Sequence, residues 1–326
     1  MIGTTRHSVA QLVVGALLCI GACSWWTAQA LPNTPPNSAR YVVLISIDGL
    51  RPDAITELVA PNIHKLRSMA ARARLATTIR PSMTLPAHVS MLTGLDYPRH
   101  GVSFNQYVSG HIQHATVFDV VKAAGKKSAA FVAKNKLSFL LTSEVIDYIY
   151  RGPGLLEALD STTAADVLNA FVDNWPVNEF AFTFVHIKEP DTAGHAHQWM
   201  SEQYLKGVRI ADDAMGTIVD TIESSGRMDS TIIMITADHG GKGYTHEHEV
   251  EESMRIPWLV YGPGIEPKTI DRTVHLYDTA PTALQLLGLG FKGEVDGSPI
   301  CEIWSKLATS GASEHKLCCG LGDARK

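Results

Sequence analysis

The chain has 326 residues, 45% of them hydrophobic and 19% charged, with a formal net charge of −5. This is a globular composition with material for a sizeable core, enough for one large α/β domain or two small ones. A mildly acidic chain with no long basic run argues against binding a nucleic-acid polymer through a basic face.

Residues 1–30 read as a secretory signal: Arg6 and His7 precede the apolar run VAQLVVGALLCIGAC, and SWWTAQA follows. The run is too short for a comfortable membrane span. AQA ending at Ala30 fits a signal-peptidase site, whereas IGAC ending at Cys23 resembles a bacterial lipobox and would attach the chain to a membrane through a lipid. Cleavage after Ala30 is the favoured expectation, and either route exports the protein to the periplasm or beyond the cell. The Pro- and Asn-rich stretch 31–40 reads as a linker, 41–308 as one catalytic domain and 309–326 as a tail. Export permits disulfides, so Cys301 can pair with Cys318 or Cys319, but three thiols cannot all pair internally.

Within the domain, YVVLISID (41–48) is too short for a helix and rich in Val and Ile, the pattern of a strand buried on both faces. Helical spacing runs over 61–73, with Pro61 at its start. A helix is expected to begin near Pro86, with Thr84 at its mouth as an N-cap, a nucleophile or both. A helix over 116–127 stops at Gly125, and SAAFVAK (128–134) is the next strand. Another helix covers 163–175, and FAFTFVHIKEPD (180–191) is a strand running into a loop. A long amphipathic helix (201–226) precedes the strands STIIMITADHGG (230–241) and IPWLVYGPG (256–264), and a last helix covers 277–290. Alternating strands and helices define an α/β fold with a mostly parallel sheet.

Three of these strands run out into Asp, at Asp48, Asp191 and Asp238, and sites in open α/β sheets form beyond the carboxyl ends of strands. His195 follows Asp191 by four, His239 follows Asp238 directly, and His246 and His248 come soon after. Asp, His and hydroxyl ligands suit zinc or a similar divalent ion, and this set is large enough for two ions. Two such ions about 4 Å apart clamp the attacking and leaving oxygens in phosphoryl transfer. Thr84 is the candidate nucleophile, because a helix N-terminus also favours phosphate oxygens. The plainer alternative is a nucleotide-fold domain with incidental Asp and His at its loop ends.

SIDGLRPD, TLPAHVSMLTG, HGVSFNQY, EPDTAGH, ADHGG and IPWLVYGPG occur in this order between Tyr41 and Ile300. Together they resemble the alkaline phosphatase superfamily, and within it the type I phosphodiesterase/nucleotide pyrophosphatase group. The resemblance implies a three-layer sandwich around a mostly parallel central sheet, two zinc ions and a phospho-threonine intermediate. It places Asp48, Asp238, His239 and Thr84 on one ion and Asp191, His195 and His246 on the other. His246 is preferred to His248 because its distance from Ile256 matches the family spacing, although Glu247 stands where a Gly often follows. Asn105 matches an Asn that hydrogen-bonds a phosphate oxygen. Sulfatases need a Cys or Ser in a C/S-x-P-x-R motif, which TLPAH does not provide. Phosphoglycerate mutases of this fold use Ser and carry a large insertion that this chain has no room for.

Lys134 and Lys136, two apart at a strand end, would point the same way. They read either as a solvated pair or as substrate lysines like those of phosphonoacetate hydrolases and some Thr-type phosphomonoesterases. The resemblance implies a small phosphate diester as substrate, and the lysine pair supports a monoester or phosphonate as the alternative. The short stretch between Lys136 and Phe180 implies an open pocket. A non-catalytic binding protein on the same scaffold is the remaining class.

Overall fold

A computed structural model describes residues 39–152 and 161–304. The signal, the linker up to residue 38, Cys23, Cys318, Cys319 and the tail lie outside the described residues. Cys301 is disulfide-bonded. No helix among the described residues is long and apolar enough to cross a membrane.

In chain order the strands are β1 (Tyr41–Ile47), β2 (Ala71–Ala73), β3 (Ala76–Thr77), β4 (Lys127–Val132), β5 (Tyr148–Tyr150) and β6 (Phe180–Ile187). They continue as β7 (Thr231–Thr236), β8 (Arg255–Ile256), β9 (Trp258–Tyr261), β10 (Lys268–Ile270) and β11 (Val274–His275). The helices are α1 (Pro61–Met69), α2 (Thr84–Thr93), α3 (Tyr97–His100), α4 (Val117–Ala123) and α5 (Ala164–Asn174). They are followed by α6 (Glu189–His197), α7 (Glu202–Ser224), α8 (Glu251–Met254) and α9 (Thr279–Leu286).

Eight strands form the main sheet in the order β10-β2-β9-β7-β1-β6-β4-β5. β1 sits at its centre, parallel to both β6 and β7, and every one of its residues is buried. This is what an uninterrupted apolar run dictates: a strand with no polar side has to be covered on both faces. Helices α1, α5, α6 and α7 pack among themselves, as do α2, α4 and α9, and the two groups cover the sheet. The result is the three-layer α/β sandwich with a mostly parallel sheet that the sequence implies. Phe118, Phe131, Phe171, Phe182 and Phe184 fill the core between sheet and helices without exposure.

Several elements differ from their sequence reading. The helical spacing over 61–73 holds only to Met69, and Ala71–Ala73 becomes the short strand β2. IPWLVYGPG yields β8 and β9, and β9 runs antiparallel to β7. A separate sheet of β11, β3 and β8 also forms. Such strands of two or three residues are too short to show a period.

Candidate active site

β1 ends at Ile47, and Gly49 turns the chain back with φ +69, where L side chains are strained. A Cβ there would also lie 2.9 Å from the Cα of Asp191. The turn is stitched to its neighbours: Asp48 N–H donates to Ile187 O (2.8 Å), Asp191 N–H to Asp48 O (3.0 Å) and Gly49 N–H to Asp238 Oδ1 (3.1 Å). The ends of β1, β6 and β7 therefore bring Asp48, Asp191 and Asp238 together.

Asp191 reaches the site from a helix. β6 ends at Ile187 and α6 starts at Glu189, with Pro190 in the first turn, so the expected loop over 188–191 is the opening of α6. Asp191 and His195 then lie four apart on one helical face, with His195 Nε2 3.4 Å from Asp191 Oδ1.

The three carboxylates divide their oxygens the same way. Asp48 Oδ2 accepts from His186 Nε2 (3.0 Å) and pairs with Lys134 Nζ (2.7 Å). Asp191 Oδ2 accepts from Lys134 Nζ at 2.6 Å. Asp238 Oδ1 accepts from the N–H groups of Gly49 and His239. The other oxygens, Asp48 Oδ1, Asp191 Oδ1 and Asp238 Oδ2, are buried without a hydrogen-bond partner, as is His239 Nε2.

The imidazoles share an arrangement too. His239 Nδ1 faces Gly240 O (2.8 Å), His246 Nδ1 faces Ser82 O (2.5 Å) and His195 Nδ1 faces Tyr244 O (2.9 Å). A carbonyl accepts only, so each Nδ1 carries a proton, which leaves Nε2 as the nitrogen with the lone pair in a neutral ring. The three Nε2 atoms lie 3.9, 4.0 and 3.4 Å from Asp191 Oδ1. Burial depresses the His239 and His246 pKa values, His246 to about 3, with the neighbouring His239 adding to the effect there. Both rings are neutral at pH 7, as a metal ligand must be.

One ammonium faces three buried carboxylates. Burial opposes the Lys134 charge, but Asp191 and Asp48 outweigh it and raise its pKa. Burial likewise pushes Asp48 up, yet Lys134 and His186 hold it well below the ordinary carboxylate range. At Asp238 burial together with the charge of Asp48 outweighs the opposing pull of Lys134 and drives its pKa well above that range. A buried cluster short of positive charge, with orphaned oxygen and nitrogen lone pairs, fits divalent cations. Two triads satisfy that geometry, Asp48–Asp238–His239 and Asp191–His239–His246, each with ligand atoms within 4.8 Å of one another.

Thr84 opens α2 beside this cluster, though not as its cap. The N-cap is Met83, which makes no side-chain cap hydrogen bond, and Pro86 is the third helical residue. All ten residues of α2 are buried. Two residues before Thr84, Ser82 O holds His246; four after it, His88 Nδ1 lies 2.7 Å from Thr84 O and 3.7 Å from Asp238 Oδ2. Asn105 Oδ1 accepts the Leu85 N–H at 3.0 Å, which leaves its amide nitrogen as the free donor end.

The lysine pair is not on a strand. β4 ends at Val132, Lys134 precedes a 3-10 turn spanning Asn135–Leu140, and Lys136 lies inside that turn. Lys134 is directed into the carboxylates, so the shared strand direction expected of the two does not hold. His248 is exposed and belongs to neither triad, whereas His246 is 2% exposed.

Sequence reasoning missed His88, His186 and Trp199. A His inside the otherwise apolar FAFTFVHI was a usable signal, because a buried imidazole needs a partner. His88 also stood in plain view within TLPAH.

The fold and site together define an alkaline-phosphatase-type scaffold. The profile of the type I phosphodiesterase/nucleotide pyrophosphatase family matches residues 42–260, and the chain belongs to that family. It is 23% identical over 247 residues to ectonucleotide pyrophosphatase/phosphodiesterase family member 3 of Rattus norvegicus, covering 68% of this chain and 28% of that protein. It is 24% identical over 259 residues to GPI ethanolamine phosphate transferase 1 of Saccharomyces cerevisiae, covering 72% of this chain and 28% of that protein. The chain thus spans under a third of the length of these relatives. Among solved structures, an inactive form of murine ectonucleotide pyrophosphatase/phosphodiesterase 5 in complex with AMP superposes with a TM-score of 0.67. It shares 14% identity and covers 81% of this chain and 100% of that one, a likeness of fold.

Proposed function

We propose that this chain is a metal-dependent phosphoric ester hydrolase of the phosphodiesterase/nucleotide pyrophosphatase type, acting through a phospho-threonine on Thr84. The observation that carries the reading is the convergence of four orphaned buried atoms, on Asp48, Asp191, Asp238 and His239, next to the N-terminus of α2. Asp48, Asp238, His239 and Thr84 would hold one divalent ion, and Asp191, His195 and His246 the other, zinc by ligand type. When bound, the ions supply Lewis-acid stabilisation of the charge that builds on the phosphoryl oxygens.

The chain's own residues do the rest. Thr84 attacks phosphorus through its hydroxyl oxygen, whose proton is given up to solvent, and the ester bond to the leaving oxygen breaks, that oxygen taking a proton from water as it departs. The helix N-terminus stabilises the oxygens that gain charge. Asn105, fixed by its oxygen on Leu85 N–H, donates its amide N–H to the same group. Water then releases the phosphoryl group from Thr84.

A diester is the favoured substrate. Two of the three Lys134 donors meet Asp48 and Asp191, so the lysine pair has less to offer a dianionic monoester or a phosphonate than strand geometry suggested. The signal-like segment supports export to the periplasm or beyond. The test is a rate comparison on a p-nitrophenyl phosphodiester, a phosphomonoester, a nucleotide pyrophosphate and phosphonoacetate, with added Zn²⁺. The diester or pyrophosphate should be fastest. Absence of turnover on all four with ions bound would leave a binding protein on this scaffold.

A further inference from the structure

We propose that Trp199 is a positioning residue for the outer half of the metal site, holding the imidazoles of His195 and His246 in register. The inference rests on the metal reading given above. Trp199 is 5% exposed, and its ring lies 5.0 Å from that of His195 at 81° and 6.0 Å from that of His246 at 72°. Both are edge contacts, the arrangement that fixes the tilt of one ring against another.

Three independent features show how firmly the indole is placed. Its Nε1–H donates to Gly49 O (2.9 Å), and its backbone N–H to Gly243 O (2.8 Å). It occupies a slot that two glycines keep open: a Cβ at Gly194 would come within 2.6 Å of the indole, and one at Gly241 within 2.2 Å. Gly194 lies inside α6, where Ala would suit the helix better, so the absence of a side chain there is explained by the indole. Finally, Gln198 (φ 75) and Met200 (φ 67), on either side of Trp199, are the non-glycine residues with positive φ among those described. Left-handed backbone is unfavourable for residues with a Cβ, and it persists where the surroundings over-determine it.

The two halves of the site depend on this wedge unequally. His195 has a side chain 44% exposed, and beyond its Nδ1–H to Tyr244 O the ring leans on Trp199 and His246. Asp48 and Asp238 are fixed by Lys134, His186 and backbone N–H groups instead. Gly49 O, which accepts from Trp199, also accepts from the Tyr204 hydroxyl at 2.9 Å, so the turn beside Asp48 keeps a partner when the indole is gone.

The experiment titrates Zn²⁺ against a chromophoric chelator with the stripped full chain, resolving two affinities. Trp199→Ala should weaken one ion by about 10- to 100-fold, the usual worth of an outer partner of a ligand, and leave the other unchanged. Trp199→Phe keeps an aromatic edge against the imidazoles and should restore most of the loss. Gly194→Ala, which drives a Cβ into the indole, should reproduce the selective loss; it decides the matter if Trp199→Ala does not fold. Equal weakening of both ions, or of neither, overturns the role of Trp199 while leaving the metal reading intact. A wild-type chain that binds fewer than two ions overturns both.

Discussion

The inner and outer halves of the site are built from different material. Asp48, Asp238 and His239 follow the ends of β1 and β7 and have no exposure. Asp191, His195 and His246 come from a helix and a loop, and the side chain of His195 is 44% exposed. Strand ends in a buried parallel sheet are positioned by the sheet ladder, so the inner residues inherit the rigidity of the core. The outer residues have to be held by side chains and carbonyls. Precision at the outer half is therefore the more easily lost, and the inner half is where Thr84, the proposed nucleophile, opens α2.

The largest expected effect tests that seat. Thr84→Ala should lower turnover by on the order of 10³ or more, as removal of a nucleophile does. Melting temperature should persist, because Met83, not Thr84, occupies the cap position, and ion count because Asp48, Asp238 and His239 remain to hold the ion proposed on them. Thr84→Ser should keep part of the rate. Near-normal turnover in Thr84→Ala with both ions bound would mean that water attacks directly.

Next comes His239. Its Nδ1–H is engaged by Gly240 O, so its one Nε2 lone pair can serve a single ion, the one proposed on Asp48 and Asp238, whereas His195 faces Asp191 alone among the carboxylates. Equilibrium dialysis should find one ion weakened in His239→Ala, by more than the roughly 100-fold that outer partners contribute. In His195→Ala the other ion should weaken. Loss of the same ion in the two variants would erase the distinction between the halves.

Lys134 ties the halves together, with Nζ 2.7 Å from Asp48 and 2.6 Å from Asp191. Removing one partner from a buried ion pair leaves uncompensated charge and costs about 3 kcal/mol or more. Lys134→Met should therefore destabilise the metal-stripped protein by about that amount in urea unfolding. Saturating Zn²⁺ should recover much of the loss, since the ions supply the missing positive charge. A loss of the same size with and without Zn²⁺ would show that Lys134 is held for packing.

Much of this was legible in the sequence, for physical reasons. A strand with no polar side, as in YVVLISI, announces a buried parallel strand, and an Asp at its end announces a site. His246 is preferred to His248 on the spacing that the resemblance implies, and the structure buries it beside Asp191 while His248 is exposed. What stayed hidden depends on tertiary placement. No local pattern says that Lys134 turns inward or that Asp191 opens a helix, because both follow from where β4 and β6 stop. The two-residue strands β3 and β8 carry no periodicity at all. Trp199 gave no signal, since the glycines that make room for it are five residues before it and forty-two after it.

The smallest effect separates the site from its scaffold. His100, on α3, packs behind α2: its Nε2 faces Ser90 Oγ at 3.1 Å, and its Nδ1 accepts the Val102 N–H at 3.1 Å. Burial, helped by His114 and opposed by Asp296, lowers its pKa to about 4. The ring is neutral in the folded protein, and protonating Nδ1 would abolish the acceptor for Val102. In the unfolded chain the same group titrates near about 6.5. Between those values the unfolded state binds more protons, so stability falls as pH drops from about 6.5 toward 4 and is fully present above 6.5. Urea unfolding of stripped wild type and His100→Gln across this window isolates the contribution, because the site's own imidazoles are common to both. The variant should be less stable at pH 7 and decline less steeply on acidification. Parallel pH profiles would show that His100 does not carry this part of the acid response, leaving it to the imidazoles beside the carboxylates.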